Sequence, residues 1–191
     1  KSINKCTSIV GYVSLAFSPD SKHLSAGAQG GKGCVEIWSM GKNNPKSLFS
    51  RTESVNSLSY SPDGNYLYIG RYRGDVSIIN TKNFKVINTL RGYSSKINLA
   101  LSDNGKYLAT GGMSMIARLT DLETKSVVLK LDSHTTVNAI DISSNGKYLA
   151  IGETNGVDLW DIEKGVLVKE FFHNTDAFSV HFSPDGRQLF A

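Results

Sequence analysis

Leucine recurs along the chain at near-constant intervals, and this repeat constrains the fold more than any other feature. Leu24, Leu67, Leu108, Leu149 and Leu189 stand 43, 41, 41 and 40 residues apart. Leu15, Leu58, Leu99, Ile140 and Val180 keep the same spacings, and Gly27, Gly70, Gly111 and Gly152 follow the register. A period of ~40–45 residues filled with short apolar runs is the signature of a four-stranded unit. Such a unit cannot bury both faces by itself and must stack on its neighbours.

The second repeat shows how one unit is written. In Val55-Asn56-Ser57-Leu58-Ser59-Tyr60, Leu58 and Tyr60 alternate with small polar residues, the period of a half-buried strand. Ser61-Pro62-Asp63-Gly64 is a turn: proline presets φ, aspartate bonds its own backbone and glycine accepts positive φ. Tyr66 to Ile69, Val76 to Ile79 and Lys85 to Leu90 supply three more strands, with Gly70 to Gly74 and Asn80 to Lys82 between them. Called a to d, these strands recur over residues 12–50, 55–91, 96–132 and 137–172; a further copy runs from 177 to 191 and stops after strand b. Residues 1–6 align with a strand d, Ile3 and Asn4 matching Ile87 and Asn88. The expectation is an all-β chain: a β-propeller segment of four whole four-stranded antiparallel blades plus two partial ones, drawn from a seven- or eight-bladed ring. A five-blade closure and a ring made of two paired fragments are the rival readings.

Bulk properties fit this. Of 191 residues, 40% are hydrophobic and 20% charged, ordinary for a globular protein. The net charge of +4 permits a nucleic-acid partner without arguing for one. Cys6 and Cys34 are far apart and form no C-x-x-C, so neither a disulfide framework nor a zinc site is expected. There is no N-x-S/T acceptor, signal peptide or membrane-length apolar run. Together these point to an intracellular protein, cytoplasmic or nuclear, with no cofactor and no metal.

Several segments resemble the WD-repeat propeller family over essentially the whole chain. Phe17-Ser18-Pro19-Asp20, Tyr60-Ser61-Pro62-Asp63-Gly64 and Phe182-Ser183-Pro184-Asp185-Gly186 look like that family's a–b hairpin, and Leu159-Trp160-Asp161 like the end of its strand c. Trp38-Ser39, Ile79-Asn80 and Thr120-Asp121 hold the matching positions, so one repeat carries an intact Trp-Asp pair. The family's buried network of His, Ser/Thr, Asp and Trp is incomplete. His134 and His173 stand where its histidine would be. Arg73, Ser114 and Asn155 replace its aspartate, and Thr110 survives where Ile69 and Ile151 replace its hydroxyl. Divergent blades held mainly by apolar packing are the consequence.

Length variation points to where function lives. From strand c to the next strand a (38 to 58, 79 to 99, 120 to 140, 160 to 180) the spacing is always 20 residues. From the strand b glycine into strand c it is 11, 9, 9 and 8, so the b–c loop absorbs all the variation. Insertions in repeats gather on one face, often the binding face, and the family resemblance puts b–c and d–a loops on one rim. That rim would carry Arg71, Tyr72 and Arg73, anchors favoured at interfaces, and Met113 and Met115, whose thioethers suit an adaptable contact. Tyr93, His134, Glu153 and Asn155 would join them.

The first functional expectation is a non-catalytic scaffold that binds a protein or peptide on this rim, within a multiprotein complex. A nucleic-acid or anionic-surface binder using Arg71, Arg73, Lys32 and Lys130 is the second, and an enzyme with a channel-mouth site the third. Motifs for the third are missing: no H-E-x-x-H, carboxylate pair or nucleophile elbow occurs. Gly27-Ala28-Gln29-Gly30-Gly31-Lys32-Gly33 fails as a phosphate loop, because three residues rather than four separate Gly27 from Gly31-Lys32 and a strand follows. His23 and His181 read as turn-side and outward-facing residues.

Overall fold

The computed structural model describes residues 11–30, 34–42, 46–49, 54–92, 96–172 and 175–191. Every regular element among them is a β-strand. Strands β1 (Gly11–Phe17), β2 (His23–Gln29), β3 (Cys34–Ser39) and β4 (Lys46–Phe49) form one antiparallel meander. The next is β5 (Val55–Tyr60), β6 (Tyr66–Arg71), β7 (Val76–Asn80) and β8 (Val86–Leu90). Then come β9 (Asn98–Leu101), β10 (Tyr107–Gly111), β11 (Ile116–Asp121) and β12 (Ser126–Asp132), followed by β13 (Ala139–Ile142), β14 (Tyr148–Glu153), β15 (Gly156–Asp161) and β16 (Val166–Phe172). A short hairpin of β17 (His181–Phe182) and β18 (Leu189–Phe190) ends the chain. The strands gather into two compact units, residues 1–97 and 98–191.

The a–b turn is the same construction five times. In the second copy, Ser61 Oγ donates to Asp63 Oδ1 (2.5 Å) and accepts from Tyr66 N (2.9 Å), while Asn65 N donates to Asp63 Oδ1 (3.0 Å). Gly64 closes the turn at φ 69°, a region open mainly to glycine. Ser18, Ser102, Ser143 and Ser183 repeat the arrangement with Asp20, Asn104, Asn145 and Asp185. The chain therefore reverses on a side-chain frame in which aspartate and asparagine are interchangeable as acceptors.

Each unit has its own core. In the first, Val35 and Ile37 of β3 pack on Val55, Leu58, Leu67 and Ile69 of the next blade. In the second, Ala117 and Leu119 of β11 pack on Val137, Ile140, Leu149 and Ile151. The recurring apolar positions are thus the faces on which consecutive blades stack. Leu15 departs from its register mates and is 65% exposed. Polar clips run alongside the packing: Ser14 Oγ accepts from Leu58 N (2.9 Å), Asn56 Nδ2 donates to Ile97 O (3.0 Å), and Asn98 Nδ2 donates to Asn138 O (2.9 Å).

Cys34 is buried and disulfide-bonded, which corrects the expectation of no disulfide: spacing along a sequence does not say which residues a fold brings together. The other cysteine, Cys6, lies outside the described residues, as do Lys32, Tyr93, His173 and the whole of residues 1–6. Among the described residues no helix is long and apolar enough to cross a membrane.

Candidate functional site

The loops that vary in length are held by the segments that lead into each strand a. In the first unit, Ser54 Oγ accepts from Gly30 N (3.1 Å) and donates to Gly30 O (3.0 Å), and Tyr72 N donates to Ser54 O (2.9 Å). Lys96 N then donates to Tyr72 O (2.7 Å). The second unit repeats the pattern: Ser133 N donates to Met115 O (2.8 Å), Val137 N to Gly112 O (3.1 Å), and Thr154 N to Thr135 Oγ1 (3.0 Å). The segments at Ser54 and at Ser133 to Val137 are thus straps tied to the b–c loop on either side, and Lys96 ties its segment to the preceding loop, so these loops are ordered platforms.

The candidate residues fall into different environments. Tyr72 (43% exposed) and Arg73 face solvent, whereas the Arg71 side chain is only 14% exposed. Its Nε donates to Ser77 Oγ (3.2 Å) and lies 3.9 Å from Asp75 Oδ2, so Arg71 fixes its own loop. Met113 and Met115 are 49% and 50% exposed on one loop of the second unit. Met115 sits at φ 57°, a strained conformation for a side-chain-bearing residue, and the bond from Ser133 holds it there. His134 and Asn155 are not buried, but Glu153 is, and it accepts from Ser133 Oγ (2.5 Å) and Thr135 Oγ1 (3.4 Å).

His134 and Glu153 border a cavity of about 240 Å³ that the sequence did not foretell. Asp158 of β15 and Glu170 of β16 are direct cross-strand partners on its wall. Like charges opposite one another on adjacent strands are destabilising. The Asp158 carboxyl is pushed up to about 6, first by burial and then by the charges of Glu153 and Glu170. His134 Nε2 lies 3.5 Å from Glu170 Oε1. One ligand atom from each of His134, Asp158 and Glu170 falls within 4.8 Å of the others.

The remaining expectations are plainer. His23 Nδ1 meets Ser39 Oγ at 3.3 Å beside the first a–b turn, and His181 faces outward, 4.0 Å from Asp141 Oδ2. Lys130 stands across from Arg118 on β11. The divergent tetrad has left a trace: Thr110 Oγ1 and Trp160 Nε1 are buried with no hydrogen-bond partner among the described residues.

Comparison with known proteins places these sheets. Residues 4–39, 84–121 and 125–161, together more than half of the chain, match the family model described as WD domain, G-beta repeat. Residues 34–100 match the model described as Anaphase-promoting complex subunit 4 WD40 domain. No curated protein matches the chain.

Proposed function

Because the chain belongs to the WD-repeat family of β-propellers, whose members typically act as non-catalytic scaffolds, we propose that it binds a protein or peptide partner through its strapped b–c loops as part of a multiprotein complex. The observation that carries this reading is the pair Met113 and Met115. Both residues are half exposed although their loop is pinned by Ser133 N to Met115 O and by Val137 N to Gly112 O. A polarizable, adaptable side chain on an ordered support suits recognition, and an ordered loop loses little entropy on binding. Tyr72 and Arg73 offer a comparable anchor pair in the first unit.

The match of residues 34–100 to the WD40 domain of a complex subunit supports a role within an assembly, in cytoplasm or nucleus. The disulfide at Cys34 weighs the other way for compartment, since such bonds persist in oxidising surroundings. The nucleic-acid reading has less support, because Arg71 is engaged with Ser77 and Asp75 inside its own blade.

The test is affinity capture of the intact protein beside Met113→Ser/Met115→Ser and Tyr72→Ala/Arg73→Ala variants, with thermal melts to confirm folding. The expected result is loss of a defined partner from at least one folded variant. Retention of every partner by both folded variants overturns the reading.

A further inference from the structure

We infer that His134, Asp158 and Glu170 form a binding site for a divalent transition-metal ion of borderline softness, such as zinc, inside the cavity of the fourth blade. This inference does not depend on the partner reading.

One strand c position changes its chemistry from blade to blade. Glu36, Ser77, Arg118 and Asp158 occupy equivalent places, each facing strand b two residues before its strand c landmark. In the first blade the Tyr12 hydroxyl donates to Glu36 Oε2. In the second the Arg71 guanidinium donates to Ser77 Oγ. In the fourth, Asp158 is 7% exposed and hydrogen-bonded to the Glu153 side chain, and Glu170 and the His134 ring also act on its carboxyl group. A carboxyl group buried among other carboxylates is costly to ionise unless a cation compensates. Here a second carboxylate sits directly opposite and a third closes the cavity wall, so the blade concentrates negative charge around a space large enough for an ion and water.

A β-bulge creates the arrangement. Asp161 pairs with Val166 and Trp160 with Leu167, a register that would set Asp158 against Lys169. The shift between Leu159 and Trp160 moves Lys169 to Leu159 and brings Glu170 to Asp158. A bulge thus turns a compensating ion pair into two converging carboxylates.

The donor set selects the ion. One imidazole nitrogen with two carboxylate oxygens suits zinc and its neighbours, whereas calcium prefers six to eight oxygens. Ligand atoms within 4.8 Å of one another need only small side-chain rotations to surround one ion, leaving further positions to water. Glu153, held by Ser133 and Thr135, is placed as an outer acceptor for such a water. Because Ser133 also pins Met115, an ion here would stiffen the strap beneath the candidate binding loop.

Titration calorimetry of the intact protein with zinc chloride, without reductant, tests the site. The expected result is one saturable ion per chain, binding more than about tenfold weaker in Asp158→Asn and Glu170→Gln, with zinc raising the melting temperature of the parent but not of these two variants. His181→Ala, outside the cavity, should bind like the parent. Absence of saturable uptake, uptake unchanged in the folded Asp158→Asn and Glu170→Gln variants, or a preference for calcium over zinc would each overturn the assignment.

Discussion

Gly111 and Val137 approach so closely that a Cβ on the glycine would come within 2.5 Å of the valine Cγ1. Gly27 stands in the same relation to Val55, at 2.4 Å, and Gly152 to Ala177 O, at 2.8 Å. The periodic glycine is therefore the point where strand b meets the segment leading into the following blade. Gly111→Ala should cost about 1–3 kcal/mol, the usual penalty of overpacking a close contact. At Gly11 a Cβ would meet nothing within 4 Å, so alanine should be tolerated there within about 0.5 kcal/mol. Urea unfolding of both variants checks this, and equal stability of the two would refute the contact argument.

Thr110 carries a hydroxyl that is buried and unbonded among the described residues. Ile69 and Ile151 fill the same place in their blades without a polar atom. Thr110→Val keeps the shape and removes the orphan, so it should stabilise by about 1 kcal/mol. A lower urea midpoint for the valine variant would mean that the hydroxyl has a partner in solution.

The repeat, the turns and the stacking faces were legible because each depends on a local pattern or a fixed period. Ser61 to Gly64 dictates its turn wherever it stands, and Leu67, Leu108 and Leu149 mark buried positions through spacing alone. The cavity was not legible. Asp158 and Glu170 are 12 residues apart, and straightforward counting from the c–d turn opposes Asp158 to Lys169; only the bulge, which leaves no residue signature, reverses this. Arg71 misleads for a related reason. Its charge implies exposure, but Ser77 and Asp75 lie where the loop folds back on itself and draw it inward.

Ser143 has no exposed surface, and its hydroxyl donates to Asn145 Oδ1 (2.8 Å) while accepting from Tyr148 N (2.8 Å). Ser143→Ala would strand a backbone donor in a buried turn, a loss of about 1–3 kcal/mol. Ser183 makes the equivalent bonds near the surface, where water can replace them, so Ser183→Ala should cost less than half as much. Parallel denaturation curves test the ratio, and equal losses would show that the hydroxyl acts independently of burial.

The a–b turns also make the acid sensitivity of the chain uneven. Asp20, Asp63 and Asp185 are held below the ordinary carboxyl value of 3.8, in each case first by the serine hydroxyl of the turn and next by a backbone N–H. Asn104 and Asn145 take this role in the third and fourth blades and do not titrate. A carboxyl whose folded value is depressed binds its proton more weakly in the folded state than in the unfolded one. Its contribution is therefore complete above about pH 5 and disappears as pH falls through the folded value, below 3.8. The triple variant Asp20→Asn/Asp63→Asn/Asp185→Asn keeps three acceptors and removes three titrations. It should be no more stable than the parent near pH 7 but lose less stability as pH falls, and so unfold at lower pH in an acid titration followed by circular dichroism. An unchanged acid midpoint would place the acid-sensitive groups elsewhere in the chain.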